Sequence, residues 1–314
     1  MLSMKFTKSK MPGMNKFVCI FILLLSVTLV AQEKTPDFQK LYENAQKGSL
    51  EITEEDKEIS QRYVWIFVTG FLNEGAGWMG RYFGDNRDRL KEYVPGEEVY
   101  ILRPSSSNSV EENAGILLKQ SQEIYERHHK KLIMMAHSKG GPEVLKMLYH
   151  EPQKTSQMIA AVLTIQAAFG SEIADFFMGD PSRAEEKNSL VNFFPFGEEG
   201  LKSLTTYESD RIFSKEVIDA LARHPVPIYF LRTSQKVGMS IGIGWGAKYL
   251  DTFGDNDGMV TVQRQKLLNV GTDLGIIDAD HADTVLESPS SNTPSSFRYH
   301  LTDAIFAYLM RRAD

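Results

Sequence analysis

The chain has 314 residues, 42% of them hydrophobic, a formal net charge of −6 and a single cysteine. That length holds one large α/β domain or two small ones, and the ordinary composition, free of repeats and low-complexity tracts, excludes fibrous and disordered classes. The acidic balance argues against a nucleic-acid partner, and one cysteine excludes a disulfide framework and a cysteine-based zinc site.

Residues 1–31 stand apart. Lys5, Lys8, Lys10 and Lys16 precede an uncharged apolar run over 17–31, and no acid interrupts them. The run is short for a membrane span and has the anatomy of a secretory signal peptide cut after Ala31, with Met14 as an alternative start. An uncleaved N-terminal anchor is the competing reading. Without this segment, 31 basic against 41 acidic side chains bring the charge to −10, and Cys19 is gone. The exported chain, secreted or periplasmic, then has neither a disulfide nor a thiol nucleophile.

Residues 32–62 read as a polar linker and a surface helix, with weak helical spacing through Phe38, Leu41 and Tyr42. The β-branched and aromatic run 63–68 reads as a central strand. It opens into a loop from Thr69 to Gly80 rich in glycine, which lets the backbone bend sharply and present N–H groups to a ligand. Residues 98–102 form a second strand, stopped by Arg103 and Pro104, and 113–129 a helix. The short apolar run 132–135 is a third strand, and Val144, Leu145, Met147 and Leu148 repeat at helical spacing just after it. Further strands fall at 158–165, 226–231 and 274–277, and a closing helix at 297–311. Strands alternating with helices predict an α/β fold: a mostly parallel central sheet with helices on both faces. Residues of about 170–224 break the alternation. They carry Phe176, Phe177 and Met178 and the aromatic run 193–196, and are expected to form a helical lid whose aromatics line an acyl pocket or pack the lid down.

Chemistry concentrates between the third strand and its helix, in Ala136-His137-Ser138-Lys139-Gly140-Gly141. A strand that becomes a helix over so few residues strains its tip, so the neighbours two before and two after must be small, as Ala136 and Gly140 are. Pro142 suits a first helical turn. This is the nucleophile-elbow pattern with Ala for the first Gly, and it makes Ser138 a candidate nucleophile. The plain alternative is a capping serine at a strand-to-helix turn.

A serine hydroxyl needs a base to take its proton and an acid to orient that base. With the elbow comes a chain order of Ser, acid, His. His128 and His129 precede the serine, and His137 is read as facing the other side of its strand. His150, His224 and His300 sit in or beside regular elements. His281, just after the last strand, remains as the base. Asp251, Asp255 and Asp257 compete for the acid. Asp257 is favoured because the tight turn Asp257-Gly258 into an apolar run would hold its carboxylate firmly, with Asp255 in reserve. The oxyanion formed on attack needs backbone donors, assigned to the amides of Lys139 and Phe71.

With these residues assembled, the chain resembles the α/β-hydrolase superfamily over roughly residues 63–311, and within it the bacterial secreted lipases and esterases. The pieces are Thr69-Gly70-Phe71 with Gly77-Trp78, the Ser138 elbow, Gly170-Ser171 with Ala174-Asp175, and Asp257-Gly258 followed by His281-Ala282-Asp283. The resemblance implies a serine ester hydrolase with Ser138, Asp257 and His281 as triad, acting on a small-molecule or lipid ester at a possible lipid–water interface. No cofactor, metal or protein partner is expected. Phospholipase, thioesterase, amidase or acyltransferase chemistry uses the same triad, and a hydrolase-like binding protein is the reading without catalysis. The chain departs from such lipases at Thr69, where they have His, and at Ala168-Phe169, where they often have Pro-His. Asp283 matches a position that binds calcium in some of them; no partner aspartate stands near residue 237, and a cap on the next helix is the other reading.

Overall fold

In the computed structural model the residues described are 36–71, 73–75, 81–179, 198–235, 243–287 and 291–313. The signal-peptide reading of 1–31, the Gly77-Trp78 pair, residues 180–197 of the expected lid and the neighbourhood of residue 237 lie outside them. Among the described residues six strands form one parallel sheet: β1 (Tyr63–Val68), β2 (Val99–Leu102), β3 (Lys131–His137), β4 (Ile159–Ile165), β5 (Ile228–Ser234) and β6 (Thr272–Asp278), in the order β2-β1-β3-β4-β5-β6. All six fall where apolar runs predicted them. The structure extends β3 to His137, two residues past the apolar run, because Ala136 and His137 stay paired with Thr164 and Ile165 of β4.

Both faces of the sheet are covered, which is why its central strands read as near-continuous apolar runs. Side chains alternate across it. Ile133 and Met135 join Trp65, Phe67, Leu163 and Leu231 beneath the long C-terminal helix. Leu132, Met134 and Ala136 join Val64, Ile66 and Val162 on the other face.

The helices in chain order are α1 (Phe38–Gln46), α2 (Glu54–Ser60), α3 (Gly84–Leu90), α4 (Val110–His128), α5 (Gly140–His150), α6 (Pro152–Met158), α7 (Glu172–Gly179), α8 (Glu198–Lys202), α9 (Thr206–Ile212), α10 (Lys215–Ala222), α11 (Gly244–Leu250) and α12 (Ser295–Met310). α4 starts three residues earlier than its apolar spacing predicts, because Ser109 and Glu112 close a capping box. Residues 37–60, expected as linker and surface helix, form α1 and α2, capped by Asp37 and by a Thr53–Asp56 box. α1 buries Phe38, Leu41, Tyr42 and Ala45, with Phe38 edge-on to Tyr308 of α12 at 5.9 Å. Arg311 clasps Asp56 at 2.8 Å. The weak periodicity is therefore a docking face.

The expected lid divides in two. Ile212, Phe213, Val217 and Leu221 bury against the sheet with Phe230, so α9 and α10 belong to the body. Leu201 and Ala174, from α8 and α7, instead meet Ala168, Leu204 and Val260 in a separate small apolar cluster beside Phe71.

Two buried ion pairs anchor the layers. Arg298 of α12, fully buried, holds Asp85 at 2.8 Å and donates to the Asp283 carbonyl at 3.0 Å. At the start of α5, Lys139 Nζ lies 3.3 Å from Glu143, whose carboxylate also accepts from Asn113 at 2.6 Å. Burial nevertheless pushes the Glu143 carboxyl up to about 7, outweighing the pull of Lys139.

Arg298→Met should cost about 3–5 kcal/mol in urea unfolding, because it strands the buried Asp85 charge. Glu143 holds its proton more tightly in the folded chain than in the unfolded one. Its contribution to stability therefore falls as pH rises from the ordinary carboxylate range through about 7. The urea midpoint of Glu143→Gln should decline less than that of wild type between about pH 5 and about pH 8.

Candidate active site

Ser138 adopts φ 54°, a left-handed conformation that costs a non-glycine residue roughly 1–3 kcal/mol. Its surroundings hold it there. The Ser138 N–H donates to Ile165 O at 3.2 Å, and its carbonyl accepts from Gly141 and Ala168 at 3.0 and 3.1 Å. A Cβ on Gly140 would stand 2.8 Å from Thr69 O, and one on Gly70 would stand 2.6 Å from Ser138 Cβ. The small residues around the serine thus let the β1 loop and α5 close on it.

Around Ser138 gather the loops from the carboxyl ends of β1, β4, β5 and β6, where ligands bind in open parallel sheets. His281, in the turn after β6, sets Nε2 2.9 Å from Ser138 Oγ and Nδ1 2.8 Å from Asp257 Oδ2. Its backbone N–H also donates to Asp257 O at 2.9 Å. Asp257 is fully buried, and its Oδ1 accepts from the amides of Met259 and Val260 at 3.0 and 2.9 Å. The tight turn after Asp257 does hold the carboxylate. A carboxylate only accepts, so it fixes the proton on His281 Nδ1 and leaves Nε2 bare toward the serine hydroxyl. The structure brings Ser138, His281 and Asp257 together. Asp255 is exposed, one turn away, and Asp251 accepts from Asn256.

Phe71 and Lys139 flank the serine, Lys139 as its neighbour at the start of α5 and Phe71 through Gly70, which packs on Ser138. The Lys139 side chain turns inward, donating to Asn108 O at 2.5 Å, with Nζ 6.0 Å from the Phe71 ring centre.

Two sequence readings need correction. His137 does not leave the site by facing the other side of β3. Its ring lies 4.7 Å from that of His281, because the turn after β6 folds over that same face. Asp283 caps no helix, since residues 281–285 are turns. Its Oδ2 takes the Asp280 N–H at 3.1 Å and its Oδ1 takes Ser291 Oγ at 2.8 Å, so its carboxylate ties the His281 loop together.

Sequence reasoning missed Tyr82, Gln166, Asn73 and Thr284, which surround these residues. None lies in a recognisable spacing. Gln166 carries one structural mark, φ 52°, at the end of β4.

Near the site Phe176 of α7 packs on Trp245 and Tyr249 of α11 at 5.3 and 4.9 Å, and Tyr249 meets Phe253 at 5.5 Å. Trp245 and Phe253 remain about half exposed, at 52% and 50%.

No family model matches the chain, and no curated protein matches it. Solved structures do. A lipase of Bacillus licheniformis, BlEst2, in its mature form, is 22% identical with TM-score 0.53, over 69% of this chain and 84% of that one. The propeptide form of the same lipase gives 23% and 0.55, over 69% of this chain and 46% of that one. The metagenomic carboxyl esterase MGS0156 is 23% identical with TM-score 0.65, over 80% of this chain and 76% of that one. Together with the parallel sheet and its strand order, these likenesses identify the architecture: the chain has the α/β-hydrolase fold.

Proposed function

We propose that this protein is a serine hydrolase that cleaves carboxylic esters, of lipids above all, through an acyl-enzyme. The observation that carries the reading is the imidazole of His281 bridging Ser138 and Asp257 at 2.9 and 2.8 Å. Ser138 Oγ attacks the ester carbonyl as its proton passes to His281 Nε2, and Asp257 steadies the imidazolium that forms. The amides of Phe71 and Lys139 receive the oxyanion. The tetrahedral adduct then breaks its C–O bond, and His281 protonates the departing alcohol. Water, deprotonated in turn by His281, attacks the acyl-Ser138 ester and releases the carboxylic acid.

The lipid preference draws on the half-exposed Trp245 and Phe253, joined through Tyr249 into one aromatic patch. An acyl chain and a lipid surface are what such surfaces accept. In this reading α7 and α8 act as the lid. A lipase and a carboxyl esterase among the structural neighbours fit the same chemistry. Residues 1–31 serve to export the chain, or, uncleaved, to anchor it.

A fluorophosphonate probe should label wild type at Ser138 alone. Ser138→Ala should lose about 10⁴–10⁶-fold in ester turnover while remaining folded. A folded, unlabelled wild type would remove the mechanism. Among nitrophenyl esters, kcat/KM should hold or rise from short to medium and long acyl chains. Turnover confined to the shortest esters would replace lipids with small soluble esters as the substrate class.

A further inference from the structure

A line of buried polar groups runs beneath the site, from the acid side to the glycine loop. Gln166 donates from Nε2 to Asp280 O at 2.7 Å and to Thr233 Oγ1 at 2.6 Å, and Thr233 Oγ1 lies 3.4 Å from Asp257 Oδ2. The Asp280 carbonyl can only accept, so the Gln166 amide nitrogen must face it. Gln166 Oε1 therefore faces His137 Nε2, at 3.0 Å, and also takes the Thr284 hydroxyl. His137 must then carry its proton on Nε2, which leaves Nδ1 to accept from the Tyr82 hydroxyl at 2.6 Å. With its own proton committed there, the Tyr82 oxygen accepts the Gly70 N–H at 2.9 Å.

From Gln166 Oε1 to Gly70 each proton in this line has one place to go, and at the other end the Gln166 amide also lies 3.4 Å from Asp257 Oδ2. Tyr82, His137 and Gln166 are 4%, 2% and 0% exposed, so water cannot substitute for a missing link. Burial, helped by the neighbouring His281, holds the His137 pKa well below its usual value, and burial raises that of Tyr82; both stay neutral, as the line requires. The left-handed backbone of Gln166 marks a residue held against its preference by these bonds. At the loop end, Asn73 Nδ2 donates to Gly70 O at 3.0 Å. The peptide unit is planar, so holding Gly70 O also fixes the direction of the Phe71 N–H.

We propose that Tyr82, His137 and Gln166 are positioning residues, a hydrogen-bonded chain that ties the orientation of the Gly70–Phe71 loop to that of the Asp257–His281 pair. The inference rests on the hydrolase reading above and deepens it. These side chains are buried beneath the site and act through the loops they hold. The hydrogen-bonded chain keeps the oxyanion donor and the proton acceptor aligned about one reacting carbon, so its loss lowers kcat and leaves ground-state binding alone.

Tyr82→Phe removes one hydroxyl from the middle of the chain. Turnover is measured per Ser138 site, counted by exhaustive fluorophosphonate labelling. The expected result is a kcat lower by roughly tenfold to a hundredfold with KM within about twofold, part of what losing an oxyanion donor outright costs. Thr284→Val, which removes the hydroxyl that donates to Gln166 Oε1, should lower kcat several-fold, roughly, on its own, and the double variant should be no worse than Tyr82→Phe alone, as linked members of one network behave. A kcat per site within about twofold of wild type in Tyr82→Phe would overturn the proposal, whatever happens to thermal stability. If Tyr82→Phe yields no folded protein, Thr284→Val decides by the same split, an unchanged kcat overturning it. An unlabelled wild type would instead strike the hydrolase reading itself.

Discussion

Ser138 sits where a strand, a helix and two loops compete for the same few ångströms, and its left-handed backbone settles the competition. A serine in ordinary strand geometry at that point would continue β3 and place its hydroxyl against a sheet face. Turned into φ 54°, it starts α5 at once and lifts Oγ above the strand ends. The strain is local, while what holds it comes from far away in sequence: hydrogen bonds to Ile165 at the end of β4 and Ala168 beyond it, and the close packing of Gly70 after β1. The geometry of Ser138 is thus a property of the assembled sheet as much as of the elbow itself.

Asp257 and His281 are placed by a different device. Asp257 engages His281 through both its side chain and its carbonyl, so two loops from adjacent strands behave as one piece. Behind them, Asp283 and Asp280 close the turn on itself, and Arg298 anchors that turn to α12. Beside Ser138, Lys139 and Glu143 bury opposite charges within 3.3 Å. Such pairs contribute little net stability but penalise any displacement that would part them. The apolar cluster around Leu201 and Leu204 is separate from this frame.

How much of this could be read from residues alone depended on whether the cause was local. The six strands announced themselves because a doubly covered parallel sheet needs uninterrupted apolar runs. The elbow was legible because its steric demand falls on residues within two positions of the serine. His281 was singled out by elimination along the chain, and Asp257 because a turn two residues long fixes its own carboxylate; the structure sets the two side chains beside Ser138. Tyr82 and Gln166 left no such trace, since a lone Tyr or Gln has no spacing that tells a buried link from a surface residue. His137 was misread by strand alternation, a rule that names the face and not what folds over it. α1 hid its role because only four of its residues are buried, too few to stand out against a polar stretch.

The clasp between the two ends of the folded body bears on how the chain acquires its shape. α1 completes the apolar layer over α12, Gln39 reaches Leu274 O at 2.7 Å, and Arg311 reaches Asp56 across 255 residues of sequence. α1 therefore waits for α12 before its apolar side is covered. Loop closure over such a span is slow, and the sheet it completes is itself built from non-local pairings. Until those late residues arrive, the layer that α1 joins lacks the side chains of α12 against which it packs.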